Sequence, residues 1–409
     1  MKMNVLLINH YAGSLEMGME FRPYYFAREW MKKGYNVTVI AGDYSHLRKK
    51  NPIVKKDFQI ENIDGINYCW IKTGKYSGNG IKRALTMLRF CFKLFLFSSK
   101  ISKTFMPDIV ISSSTYPIDT FPAQLIAKKS KAKLIHEVHD MWPSTLIELG
   151  GMSKFNPFVV MMQIGENSAY KNSDYVVSLP PCAEAYMKKH GLKEGKFISI
   201  PNGIVMEDWE NPDELPEEHR VLLDTLKKQG KFIVGYFGGH AISNALDSLV
   251  ICAEKIEDDN VAFVLVGDGI EKNRLKNYAK ENNIKNIYFL PSVSKKAIPH
   301  LLRYFSCAYI GAKNSPLYKF GLCMNKLFDS MYAGCPIILA IETPLDYVSK
   351  YECGITVEPE NVEALIEGIN IMKNKTQIEL ETMSNNGREA IIQNFMLEDL
   401  ADKFCDLFK

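Results

Sequence analysis

Short apolar runs alternate with amphipathic segments along the whole chain, and this alternation limits the fold more than any other feature. Residues 5–8 are apolar, residues 21–33 are amphipathic at helical spacing, and residues 37–41 are apolar again. Pro23 is tolerated in the first turn of such a helix, and Gly34 stops it. A strand, a helix and a strand in that order demand a parallel sheet with helices on its faces. The same pattern predicts strands at 109–112, 134–138, 175–178 and 197–200, with helices over 122–129 and 182–189. Residues 58–71 interrupt it, where Asp64-Gly65 marks a hairpin turn between two short strands.

After Pro201-Asn202-Gly203 the composition changes. Residues 207–218 are acidic, contain Pro212 and Pro216, lack periodicity and read as a surface connection. A second α/β series follows, with strands predicted at 232–236, 262–266, 287–290, 308–310, 337–340 and 355–357. At 409 residues the chain is too long for one ordinary core. The expectation is an α/β chain of two facing Rossmann-like domains with parallel sheets and a cleft between them. They span 1–202 and 203–387, and a C-terminal helix over 388–409 packs back on the first.

A net charge of only +3 gives no field that would favour nucleic acid. Nine cysteines stand singly, with no C-x-x-C pair, which suits reduced thiols in the cytoplasm. No stretch reaches the ~20 apolar residues that span a bilayer, and the first residues lack the apolar core of a signal peptide. Residues 81–105 are unusual: Lys82, Arg83, Arg89, Lys93, Lys100 and Lys103 interleave with Leu88, Phe90, Phe92, Leu94, Phe95, Leu96 and Phe97. Such a helix either lies in the headgroup layer of an anionic inner leaflet or buries a core face behind a basic outer face.

Candidate chemistry gathers at predicted strand ends, where open parallel sheets bind ligands. Phe237-Gly238-Gly239-His240 follows one strand, with a helix expected from about Ser243; Val266-Gly267-Asp268-Gly269 follows the next. Paired glycines let backbone amides approach a phosphate, and a helix N-terminus favours the anion. A helix over 324–333 would place Asn325 and Asp329 on one face, with Lys326 near its start as a cation for a diphosphate and Asp329 as an acceptor for ribose hydroxyls. In the first half, Gly13 and Gly18 lie in the loop after the first strand, and His139 and Asp140 close another strand. His136 and His139 lack the spacing of a helical zinc pair, no D-x-D occurs, and no metal or other cofactor is expected. Taken singly, each piece also fits an ordinary turn or helix.

Their order resembles that of the retaining glycosyltransferases of family 4, which have the GT-B fold. The resemblance runs through Val138-His139-Asp140-Met141-Trp142-Pro143, Ile200-Pro201-Asn202-Gly203-Ile204, Tyr236-Phe237-Gly238-Gly239, Val266-Gly267-Asp268-Gly269 and Asn325-Lys326-Leu327-Phe328-Asp329. Phe21-Arg22-Pro23-Tyr24-Tyr25 and Ser45-His46-Leu47-Arg48 are similar to bacterial O-antigen and capsule enzymes such as the N-acetyl-L-fucosamine transferases. The resemblance implies a sugar moved from a nucleotide-sugar, UDP favoured, to an oligosaccharide or polyprenyl-diphosphate-linked acceptor. It implies Gly18, Gly238, Gly239, Gly267, Asn325, Lys326 and Asp329 as donor-binding, His139 and Lys326 as catalytic, and Asp140 on the acceptor side. Asp329 matches the second acid of the family's E-x₇-E motif; the first acid's place is held by Gly321, and the usual Arg and Lys after Gly239 are absent. A GT-B sugar-nucleotide epimerase and a non-catalytic nucleotide-sugar-binding partner are the rival readings.

Overall fold

The computed structural model describes residues 2–18, 21–78 and 80–409. The chain forms two compact units, Met1–Pro201 with Leu397–Lys409, and Asn202–Met396.

The first unit is built on eight strands: β1 (Asn4–Ile8), β2 (Asn36–Gly42), β3 (Gln59–Ile63), β4 (Ile66–Ile71), β5 (Ile109–Ser112), β6 (Lys133–Val138), β7 (Tyr175–Ser178) and β8 (Phe197–Ser199). Their order is β3-β4-β2-β1-β5-β6-β7-β8, and every pairing is parallel except β3 with β4. That pair is the expected hairpin: Asp64 and Gly65 have φ of 53° and 87°, the two positive values of a type I′ turn. β5 is buried along its whole length and β1 nearly so, as central strands covered on both faces must be.

The second unit carries β9 (Phe232–Phe237), β10 (Val261–Val266), β11 (Ile287–Leu290), β12 (Cys307–Gly311), β13 (Ile337–Ala340) and β14 (Gly354–Thr356). Their order is β11-β10-β9-β12-β13-β14, all parallel. In each sheet the strand order reverses once, between β1 and β5 and between β9 and β12. Connections leave such a pair in opposite directions, so a crevice opens beyond their carboxyl ends.

Four local readings differ from the structure. The stretch 81–105 is two helices, Ile81–Leu96 and Ser98–Phe105, and the outward face of the first is apolar. The connection 207–218 holds a short helix, Glu207–Glu210, that buries Asp208. The helix expected from Ser243 is a single turn, Ile242–Asn244; Ala245 at φ 47° ends it, and Leu246–Lys255 begins beyond. The stretch 388–409 is also divided. Helix Gln377–Asn394 lies in the second unit and Leu397–Cys405 in the first, where Phe404 and Phe408 pack on Trp30 at ring-centroid distances of 4.9 and 5.4 Å.

Candidate active site

In the second unit, β9 is followed by Gly238, whose φ of 133° is one that side-chain-bearing residues rarely adopt. Its amide donates to the Val266 carbonyl (3.0 Å), and the His240 amide to the Asp268 carbonyl (2.9 Å). A Cβ on Gly267 would stand 1.8 Å from the Gly238 carbonyl oxygen. The two glycine turns therefore touch backbone to backbone. Gly267 is buried and serves this close approach; Gly238 and Gly239 are exposed, Gly238 beside the Tyr236 hydroxyl and the Lys326 side chain and Gly239 toward open space.

Lys326 reaches this turn from helix Asn325–Ala333. Its Nζ donates to Asn244 Oδ1 (2.7 Å) and to the Tyr236 hydroxyl (3.4 Å), and lies 4.7 Å from the Tyr236 ring centre. Tyr236 and Asn244 both donate to the Gly239 carbonyl, at 2.6 and 2.8 Å. Among the described residues no carboxylate pairs with Lys326. Burial lowers its amine to about 8. A desolvated ammonium with neutral partners only is a site for an external anion.

Asp329, one helical turn on, makes no hydrogen bond or ion pair among the described residues. Burial raises its carboxyl to about 6; Lys295 opposes that shift and Asp208 adds to it. Lys295 and Asp208 pair with each other at 2.9 Å. Asn325, on the same helical face, is exposed. Gly321 sits at φ 90°, in a loop whose Cys323 accepts from the Asn202 amide through Sγ (3.0 Å). The backbone there has a conformation suited to glycine, and an acid at 321 would be strained.

The first unit holds the other candidates. His139 follows β6, and its Nε2 meets Ser113 Oγ (2.8 Å) and Glu137 Oε2 (3.1 Å). Ser113 Oγ donates to the same carboxylate oxygen (2.6 Å), while Arg22 Nε donates to Glu137 Oε1 (3.0 Å). Burial alone would raise the Glu137 carboxyl, but Arg22, His139 and Ser113 hold it well below the usual carboxylate range. Arg22 also donates to the Ile200 and Pro201 carbonyls (2.8 and 2.7 Å), joining helix Phe21–Lys32 to the end of the β8 segment. With Nε2 engaged, Nδ1 is the ring nitrogen of His139 left for a substrate. His136 is buried against Ser112 (2.8 Å), and burial lowers it to about 4, a structural histidine. Asp140 Oδ1 accepts from the Met141 amide (2.8 Å) and Thr145 Oγ1 (2.7 Å), so one of its oxygens holds the following turn. Gly18 has φ 67° and packs near the Lys49 side chain; the Tyr68 hydroxyl donates to the Gly13 carbonyl (2.6 Å). The structure thus joins Gly238, Gly239, Gly267 and Lys326 in one cluster, and places Asp329 outside it, within electrostatic reach of Asp208 and Lys295.

Tyr236, Asn244, Asp208, Lys295, Ser113, Glu137 and Arg22 do not stand out in the sequence as site residues. Arg22, Glu137 and Tyr236 lie inside or beside the strings that carry the family resemblance, which is the signal that could have drawn attention to them. Asn244 occupies the stretch where the family's basic residues are missing, and it orients a lysine from elsewhere.

Two mainly parallel sheets with strand-order reversals and glycine turns after β9 and β10 are the architecture of the GT-B class, and comparison with known proteins shows that the class here is the glycosyltransferases. Residues 17–208 match the model described as Glycosyltransferase Family 4, and residues 224–390 that described as Glycosyl transferases group 1. Between them the two matches take in most of the chain, which belongs to the family 4 glycosyltransferases. It is 25% identical over 300 residues to WcaI of Escherichia coli K12, named as a colanic acid biosynthesis glycosyl transferase, covering 71% of this chain and 72% of that one. Sucrose-phosphate synthase of Thermosynechococcus elongatus superposes with a TM-score of 0.74 at 16% identity, over 100% of this chain and 98% of that one. Anabaena HepE in complex with UDP gives 0.68 at 14% identity, over 99% of each chain.

Proposed function

We propose that this glycosyltransferase takes a sugar from a nucleotide-sugar, UDP favoured, and adds it with retained configuration to a lipid-linked or oligosaccharide acceptor of a bacterial surface polysaccharide. The enzyme works in the cytoplasm, peripheral to the inner face of the membrane. The observation that carries this reading is Lys326, an ammonium without a carboxylate partner among the described residues, held against the exposed Gly238-Gly239 turn by Asn244 and Tyr236. The UDP in HepE favours the nucleotide, and the name of WcaI favours the polysaccharide.

In the transfer, the bond from the anomeric carbon to the diphosphate oxygen breaks and negative charge grows on that oxygen. Lys326 and the Gly239 amide are fixed before reaction and stabilise that charge. The acceptor hydroxyl forms its bond to the anomeric carbon on the departing side, and its proton passes to the leaving diphosphate. No protein nucleophile is needed, in contrast to the paired carboxylates of retaining hydrolases. Asp329 accepts the ribose hydroxyls, and His139 Nδ1 meets the transferred sugar.

Thermal melting with UDP-, GDP- and dTDP-sugars tests the donor site, because a ligand raises the stability of the state it binds. A selective rise with UDP-sugars that disappears in Lys326→Ala supports the reading. Equal rises in wild type and Lys326→Ala count against it.

A further inference from the structure

We propose that the outward face of helix Ile81–Leu96 is a docking surface for a bilayer containing anionic phospholipid, and that it holds the enzyme by apolar insertion more than by charge. This rests on the reading of a lipid-linked acceptor and names the surface that would bring the enzyme to it.

The helix is apolar on two sides. Its buried side carries Met87, Phe90, Cys91 and Leu94, which pack into the core of the first unit. Its other side carries Ile81, Leu85, Leu88, Phe92, Phe95 and Leu96, all exposed, with Ile81 80%, Phe92 65% and Leu96 61% accessible. At about 100° per residue these six fall within an arc of about 100°, a continuous stripe along a helix of 16 residues. Single exposed apolar residues are ordinary, but a contiguous stripe marks a surface meant to be covered.

Charge identifies the cover. The helix contains no Asp or Glu. Lys82, Arg89 and Lys93 follow one flank of the stripe, at about 80–120° on the same wheel. Phe92 and Leu96 also form the wall of a groove of about 680 Å³ whose other walls carry Lys72, Arg89 and Lys93. Asp57 pairs with Lys93 (2.7 Å) and Asp43 accepts from the Thr73 amide (2.7 Å), which leaves Lys72 and Arg89 as the groove's cations without a carboxylate partner among the described residues. Apolar residues flanked by cations on one helix suit the boundary between acyl chains and anionic headgroups. Arg83 and Arg89 do not simply reach into solvent: Arg83 donates to the Tyr11 hydroxyl (3.2 Å) and Arg89 to the Thr73 carbonyl. The apolar stripe is therefore the larger part of the surface.

The test is co-sedimentation of the full chain with vesicles of phosphatidylcholine, alone or with phosphatidylglycerol. Wild type should pellet with the anionic vesicles. Phe92→Ser with Phe95→Ser should reduce binding by about tenfold or more, with an unchanged melting temperature, since both side chains are exposed. Lys82→Glu should weaken binding less. The proposal is overturned if wild type stays in the supernatant with anionic vesicles, or if the double variant pellets like wild type. It is also overturned if wild type forms a dimer that the double variant dissociates while neither binds vesicles. Stabilisation by UDP, measured on the same samples, separates the two claims. A double variant that loses vesicles and keeps UDP supports the surface; a wild type that binds vesicles without UDP stabilisation sinks the donor reading alone.

Discussion

Lys326 Nζ donates to Asn244 Oδ1 at 2.7 Å, and Asn244 Nδ2 in turn donates to the Gly239 carbonyl at 2.8 Å. An amide thus links the cation of one helix to the glycine turn of another strand. Asn244→Ala should leave the fold stable and loosen Lys326, lowering UDP affinity about fivefold to tenfold through one lost charge-assisted bond. Calorimetric titration with UDP measures this; unchanged affinity would show that the link is idle.

Lys326 also sets a pH dependence. Its folded value, about 8, lies below its unfolded value of 10.5, so the folded chain holds fewer protons between them. Stability contributed by this group rises with pH across that window. Lys326→Met should be more stable than wild type at pH 7, by roughly 1–2 kcal/mol after allowance for partial exposure, and the difference should vanish above about pH 10.5. UDP affinity of wild type should fall as pH passes about 8, where the amine loses its charge. Paired melting curves and titrations across pH 6–10 check both signs.

Asp329 carries the opposite kind of penalty. Its folded value, about 6, is above the unfolded 3.8. A group raised in this way gives its full stability below the unfolded value and loses it as pH rises through the folded one. Asp329→Asn should match wild type below pH 4 and exceed it above pH 6, by roughly 1–2 kcal/mol. The same variant should lose donor binding at pH 7. A variant that is less stable than wild type at pH 7 would contradict the burial of an unpaired carboxylate.

The Arg22–Glu137–His139 chain predicts separable effects. Glu137→Gln removes the buried negative charge that faces Arg22 and should cost about 3–5 kcal/mol. His139→Ala should cost less stability than Glu137→Gln, since Arg22 and Ser113 still hold the carboxylate, and should leave UDP affinity nearly unchanged while turnover falls at least ~100-fold. Loss of UDP affinity in His139→Ala would move that residue to the nucleotide.

Gly267→Ala tests the contact of the two turns. Its Cβ would meet the Gly238 carbonyl at 1.8 Å, in a residue with φ 151°. The backbone of both turns must shift, and a loss of about 2–4 kcal/mol is expected. Gly239→Ala, whose Cβ meets nothing within 4 Å, should be mild in stability and provides the comparison.

Strand positions were legible in the sequence because parallel strands buried on both faces are short apolar runs between turn signals; β5, β7, β11 and β13 match their expected ranges. The hairpin at Asp64-Gly65 was legible because few dipeptides take two positive φ values. The break at Ala245 was not, since an alanine at φ 47° carries no local signal. Nor was the buried place of Asp208, which lies in an acidic stretch with Pro212 and is fixed by a lysine 87 positions away. Among the candidates, the glycines and Lys326 could be marked by type and spacing. Their partners could not: Asn244, Tyr236 and Ser113 act through long-range contacts that sheet order creates.

The most direct measurement is transfer itself: wild type and Lys326→Ala are incubated with UDP-sugars and polyprenyl-diphosphate-linked glycans. UDP release is followed with the anomeric configuration of the product. Wild type should release UDP in step with glycan growth, keep the donor's configuration, and lose this activity with Lys326→Ala. An inverted product, a donor epimerised without acceptor, or full activity in Lys326→Ala would contradict retaining transfer built on Lys326 and the Gly238-Gly239 turn.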